Sequence, residues 1–439
     1  MKRSFAFNAF VIVVSAAVSV LSQNSDLEST SAPLTVVINE NLPAPRHIPT
    51  PTPWPDEPDE TPVSDNDGSL YAGKDTEPIV VGRERIVTAA AQPVQVSQTK
   101  RSLSFAQIKR KIAEAKRDMQ ARPMPTALTE SALSTDWVRI AFHDWKTNRI
   151  DYVVMSKVAF LSTTSDKLTM SSNGRSITVR TLRSNYTNTP VAIMDETGQM
   201  HLPLMVQYPI EKFGKHVETA YYLSTHPGLV TPEVVNAGKF YVRNVLELAR
   251  GRLKSKGIFI QPKVTDMAER LSLVEHVDHD RFRNEPHPNV YNDVYALYAL
   301  NEGSTYRYSV SSAGAGGMVQ MIPSTYRMVR AWHPNVGLNP DFVEGMRDHV
   351  NATQAMLLYM QRTWNDLVAS PTVAGAITDG IATPEQLMAA GYNSNPARLA
   401  RYISRGGADW TSLIPRETKV YLQILSSVEL HVPMNERTR

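Results

Sequence analysis

The sequence predicts an α+β chain in which a small antiparallel β domain precedes an all-helical C-terminal half, both behind a disordered proline-rich segment. Three observations carry this reading. Between about residues 135 and 215 the apolar residues fall in short alternating runs (WVRIAF, IDYVVM, SITVRTL, HLPLMVQY), the period of half-buried strands. From about residue 216 to the end they recur at helical spacing and are punctuated by capping residues. Residues 24–100, with PAPRHIPTPTPWPDEPDETPVSDNDGS at their centre, show no sustained period and too little apolar surface to offset the entropy of ordering.

At the N-terminus Lys2 and Arg3 precede an apolar stretch over residues 5–21, and Val20, Leu21 and Ser22 precede Gln23 at a spacing that a signal peptidase accepts. Residues 1–22 read as a secretory signal. An uncleaved anchor is the other reading, because the stretch is only a little shorter than the roughly 20 residues of a spanning helix. Either way the rest of the chain lies outside the cytoplasm, with residues 23–100 as a tether. Residues 101–122 form an amphipathic helix with Phe105, Ile108, Ile112 and Ala115 on one face. Residues 123–215 form the β domain, and Asn173 and Gly174, which ask for positive backbone angles, mark a hairpin. Asp136, His143 and Asp144 read as solvated strand-end residues and not as a site.

Residues 216–261 are expected to be a helical linker region in which Thr231 and Pro232 cap and open a turn and a helix runs over 239–256. The helical domain proper, 262–430, should contain a helix over 264–277, a long one near 342–368, and others begun by Ser324 and Thr325, by Thr383, Pro384 and Gln386, and by Asn395 and Pro396. A net charge of +3, scattered along the chain, argues against a dedicated nucleic-acid binder while suiting a partner with acidic groups. The absence of cysteine removes disulfides, thiolate metal sites, thiol nucleophiles and a lipidated cysteine. His276, Asp278, His279 and Asp280 lack the spacing of a complete ligand set, so no metal and no other cofactor is expected.

The chemistry concentrates at Glu302, which closes the apolar run of Val290, Val294, Tyr295, Leu297, Tyr298 and Leu300. A carboxyl at a helix C-terminus, desolvated by apolar neighbours and facing the negative end of the helix dipole, is held protonated and so equipped as a general acid. The small residues Gly303, Ala313, Gly314, Ala315, Gly316 and Gly317 let backbone approach a flat sugar closely, and Gln320 offers an amide.

With Ser311, Gly314, Ala315, Gly317, Gln320, Pro323 and Thr325 at fixed spacing after Glu302, this stretch resembles the central motif of the soluble lytic transglycosylases, lysozyme-like enzymes that cut peptidoglycan. HVNATQAMLLYMQRTW is similar to the family's long buried helix, AGYNSNP to its A.YN motif, and IPRETKVYLQIL to its closing P.ET..Y helix. The resemblance implies a lysozyme-like fold for residues 262–430, Glu302 as acid and then base, and Ser311, Gln320, Tyr392 and Glu417 as substrate-binding residues. Asn393 reads as a turn residue. The substrate implied is peptidoglycan glycan strands in the periplasm or envelope of a bacterium, with an envelope-complex protein as a further partner, and with membrane contact only through an uncleaved signal. The chain departs from the family pattern at Gly303, where serine is usual, and at Ile322 and Ser394. No motif supplies a second carboxylate near Glu302, so the chemistry expected is substrate-assisted, with the 2-acetamido group stabilising the anomeric carbon. A hydrolytic muramidase on the same fold and a non-catalytic peptidoglycan-binding protein are the alternatives.

Overall fold

The computed structural model describes residues 102–122, 135–212, 215–223, 226–301, 303, 311 and 313–438. The signal segment, the tether and Glu302 itself lie outside the described residues. What is described is a mixed α+β structure: one antiparallel sheet and thirteen α-helices.

Helix α1 (Phe105–Ala121) opens with a capping box, in which the Ser104 hydroxyl accepts from Gln107 N and the Gln107 side chain accepts from Ser104 N. It buries Ile108, Ile112, Ala115 and Met119, while Phe105, expected on that face, is only partly covered. The strands are β1 (Trp137–Asp144), β2 (Arg149–Ser156), β3 (Lys167–Met170), β4 (Ser176–Thr181), β5 (Val191–Asp195), β6 (Met200–Lys212) and β7 (Lys215–Tyr222). Their order is β2-β1-β6-β5-β4-β3, with β7 also on β6. A bridge between Val153 and Ser171 joins the two ends of that order, so the sheet curls around Val138, Ile140, Phe142, Ile177, Val179 and Ile193. Helix α2 (Lys157–Leu161) closes this core with the fully buried Phe160.

Two details of the sheet differ from expectation. The β3–β4 connection is five residues long, since Met170 pairs with Ser176, and of the turn pair only Gly174 takes a positive φ, 75°. The sheet also continues past residue 215 through β7, so the chain is not helical from 216. Polar residues alternate along KHVETAYY, but Ala220 and Tyr222 turn inward onto β6 and supply the burial that makes it a strand.

Helix α3 (Pro232–Ser255), capped by Thr231, is longer than the helix expected over 239–256. There follow α4 (Pro262–Val274), α5 (His279–Asn284), α6 (His287–Asn301), α7 (Pro323–Trp332), α8 (Phe342–Arg347), α9 (His349–Val368), α10 (Pro371–Thr378), α11 (Pro384–Asn393), α12 (Leu399–Gly406) and α13 (Arg416–His431). The long helix expected near 342–368 is two helices. Asp348 divides them, because its carboxylate accepts from Val350 N at 2.9 Å and Asn351 N at 3.1 Å and thereby caps α9.

The largest core surrounds α9 and takes in α3, α4, α6, α11 and α13. Helices α3 and α6 cross at Gly238, where a Cβ would stand 1.9 Å from the Tyr295 carbonyl oxygen. A second core joins α1 (Ile108, Ile112) and β6 (Leu202, Leu204) to Val234 of α3 and to Ala296, Ala299 and Leu300 of α6. Helix α6 therefore faces a core on each side, which explains why its apolar residues run all round it. The Leu223 amide, just after β7, donates to Asn301 Oδ1 at 3.0 Å and ties the last residue of α6 to the end of the sheet.

Candidate functional site

The small-residue stretch after α6 folds as a series of tight turns. Ser311 opens it: its Oγ accepts from Ala315 N at 3.0 Å, and its carbonyl accepts from Gly314 N at 2.9 Å. Gly314 and Gly317 sit at φ 76° and 71°, and a bridge joins Gly316 to Met321. Gly317 has a second reason to be glycine, since a Cβ there would lie 2.9 Å from the Met346 carbonyl oxygen of α8. Met318, Val319 and Met321 are buried beneath the loop. Between them Gln320 holds φ 45°, a left-handed conformation that costs a non-glycine residue on the order of 1–2 kcal/mol. Its amide nitrogen donates back to Gly317 O at 2.9 Å. The Gln320 amide, expected to face a sugar, thus also shapes its own turn.

Two side chains hold this loop from below, and two more tyrosines stand behind them. The ring nitrogen Nε2 of His276 donates to Met318 O at 3.0 Å; burial pushes that imidazole down to about 3, so it stays neutral. The Tyr392 hydroxyl donates to Val319 O at 2.6 Å, and burial raises this phenol well above the usual tyrosine range. The Tyr359 ring meets Tyr392 edge-on, with centroids 5.8 Å apart. Tyr298, wholly buried in α6, donates to Ser272 O at 2.8 Å.

Beside them stands a carboxyl that no motif announced. Glu275 is the cap residue at the end of α4, where a helix was expected to continue to 277. Its Oε1 accepts from the Tyr421 hydroxyl of α13 at 2.6 Å. Burial, together with the charge of Glu417, pushes Glu275 up to about 8 against the opposing pull of the Tyr421 hydrogen bond. Tyr421 is in turn raised well above its usual range, by burial first and then by Glu275. The sequence signal for Glu275 is weak: a polar residue closing the apolar helix VTDMAERLSLV, with its partner 146 residues away.

Of the expected site residues, Ser311 and Gln320 open and close one loop, and Tyr392 grips that loop one residue before Gln320. Glu417 is exposed in the first turn of α13. The tie from this helix to the Tyr392 segment is made by its buried neighbour Thr418, whose Oγ1 donates to Asn393 Oδ1 at 2.8 Å. Asn393 accordingly ends α11 and accepts a long-range bond, where a self-bonded turn had been expected. Among the described residues a Cβ on Gly303 meets nothing within 4 Å.

Two other polar groups behave structurally. His143 and Asp144, expected to be solvated, are buried, at 1% and 2% exposure. Arg175 donates to Asp144 at 2.5 Å and to Asp195 at 2.8 Å, and His201 lies 3.4 Å from both carboxylates. The same carboxylates cap their own turns, Asp144 accepting from Lys146 N and Asp195 from Thr197 N and Gln199 N. Hydrogen bonds from Lys146 and Thr197 and from the turn amides lower Asp195 below the usual carboxylate range despite its burial. A concavity of about 380 Å³ lined by Asp144, Thr147, Arg149, Asn173 and Arg175 lies over this network. Near α5, Asp278 accepts from Asp280 N and Arg281 N, each at 2.9 Å, and Asp280 pairs with Arg283. Those carboxylates work as a helix cap and a helix-surface ion pair.

The chain matches no family model, no curated protein and no solved structure.

Proposed function

We propose that the chain is a lytic transglycosylase with a lysozyme-like helical domain, cutting the β-1,4 bond between N-acetylmuramic acid and N-acetylglucosamine in exported peptidoglycan chemistry. One observation supports this above the others. Motifs that lie far apart in the chain meet around one loop: Tyr392 on the Val319 carbonyl, Thr418 on Asn393, and Tyr421 beside the same cluster. A glycine loop needs no such convergence to be a turn. It does need it to hold a sugar in one pose, because orientation within a few tenths of an ångström governs the rate.

In this reading Glu302 donates its proton to the linking oxygen, and the muramyl 2-acetamido group stabilises the anomeric carbon. The Glu302 carboxylate then removes the proton of the C6 hydroxyl, which closes a 1,6-anhydromuramyl ring without water. In the same reading Gln320 and Tyr392 contact the muramyl group, Ser311 lines the cleft, and Glu417 holds the Tyr392 segment or reaches the substrate. The signal over 1–22 and the tether over 23–100 would carry the domain to the wall; among the described residues no helix is long and apolar enough to cross a membrane.

Digestion of purified sacculi followed by mass measurement tests the reading. Anhydro ends are expected; fragments one water heavier identify a muramidase, and sacculus binding without release identifies a binding protein. Glu302→Gln should lower fragment release by at least about a hundredfold, the usual worth of a general acid–base group. Unchanged release from that variant removes Glu302 from the chemistry.

A further inference from the structure

Glu275 is a half-buried carboxyl without an ion-pair partner among the described residues, a costly arrangement for a group with only a structural duty. Among the described residues the groups that face it are Tyr421 and Glu417 from α13, Tyr392 from α11, Tyr298 from α6, and its neighbour His276. None of these is a cation at neutral pH; His276 is kept neutral by burial. Several of them also grip the loop. His276, one residue on, holds Met318 O at 3.0 Å, and Tyr392 holds Val319 O at 2.6 Å. Tyr421 anchors Glu275 itself.

We propose that Glu275 is a positioning residue of this loop: fastened to α13 through Tyr421, it sets the end of α4 and, with His276 and Tyr392, the backbone of residues 318–320 that presents Gln320 to the acetamido sugar. The presentation of Gln320 to sugar rests on the transglycosylase reading; the control of the loop does not. An uncharged Glu275 tolerates Glu417 and the phenols around it. A charged one is repelled by Glu417 and strengthens its hold on Tyr421, which pulls the end of α4 relative to the loop. Activity and loop geometry should therefore both respond to ionisation of this one group.

Two measurements on the full chain separate the proposal from the reading it deepens. In the first, the backbone amide of Val319, selectively labelled with nitrogen-15, is followed by NMR from pH 6 to pH 10. A chemical-shift titration with a midpoint near 8 is expected in the wild type and should vanish in Glu275→Gln. A wild-type amide that does not titrate there, or a midpoint unchanged in Glu275→Gln, overturns the proposal, whatever the chain does to peptidoglycan. In the second, fragment release from sacculi is compared at pH 7. Glu275→Ala should lower kcat by about tenfold, and Glu275→Gln, which retains an acceptor for Tyr421, should restore it to within about threefold of wild type. Equal rates in Glu275→Ala and wild type overturn the positioning role. A wild type that releases nothing sinks the transglycosylase reading alone, and the amide titration then decides whether Glu275 controls the loop.

Discussion

Gln320 and Gly317 show how single residues set the geometry of the loop. Gly317→Ala adds a methyl group at φ 71° and 2.9 Å from Met346 O, so a loss of about 1–3 kcal/mol in denaturant unfolding is expected. Gly303 is the reverse case. Among the described residues a Cβ on it meets nothing within 4 Å, and on the transglycosylase reading Gly303→Ser, which installs the residue usual in the family that the motif resembles, should raise fragment release several-fold. Glu275 makes a prediction about pH. Below its ordinary value of 4.5 the carboxyl is protonated in folded and unfolded chains alike. Between 4.5 and about 8 the unfolded chain gives up the proton and the folded one keeps it, so stability falls as pH rises, by up to ~1.4 kcal/mol per unit. Glu275→Gln removes that slope, and its advantage over wild type in urea unfolding should grow from pH 5 to pH 8. His143 and His276, held neutral down to about 4 and about 3, work in the opposite sense. As pH falls from 6.5 towards those values the unfolded chain takes up the proton and the fold does not, so stability falls with acid across that window.

Among the elements, α6 bears the greatest burden. It crosses α3 at Gly238, supplies Ala296, Ala299 and Leu300 to the core beneath the sheet, and ends at Asn301, whose side chain holds Leu223. Gly238→Ala places its Cβ 1.9 Å from the Tyr295 carbonyl oxygen, and the two helices have to separate. Overpacking of this kind costs about 1–3 kcal/mol or more, which a thermal melt of the variant measures directly. The N-terminal cap of α1 is a milder test. Ser104→Ala removes the acceptor for Gln107 N and should cost about 0.5–2 kcal/mol. The capping box of Thr383 and Gln386 was legible in the sequence because it spans only four positions. The division between α8 and α9 was not, since Asp348 reads as one more polar residue until its carboxylate is seen on Val350 N and Asn351 N.

At the scale of the molecule, the β sheet and the helices share a core through α1, β6, α3 and α6. Both halves are therefore expected to unfold together, in one calorimetric transition, and Ile112→Asp in α1 should lower that transition for sheet and helices alike. Much of this fold was visible in advance because its signals are local. The period of two marked the strands, the period of 3.6 marked the helices, and Thr231, Thr383 and Asn395 marked where helices begin. The same holds for the motif residues, which share a stretch of chain or a fixed spacing. Strand β7 escaped because its alternation is polar until Ala220 and Tyr222 find β6. By itself, then, the sequence determined the α+β class and the succession of strands followed by helices. Only the tertiary structure decided that Tyr392 grips Val319, that Thr418 and not Glu417 ties α13 to α11, and that Glu275 meets Tyr421 across 146 residues. Periodicity and capping act between residues a few positions apart, whereas burial, and the proton affinity that burial alters, depend on which distant side chains close over a group.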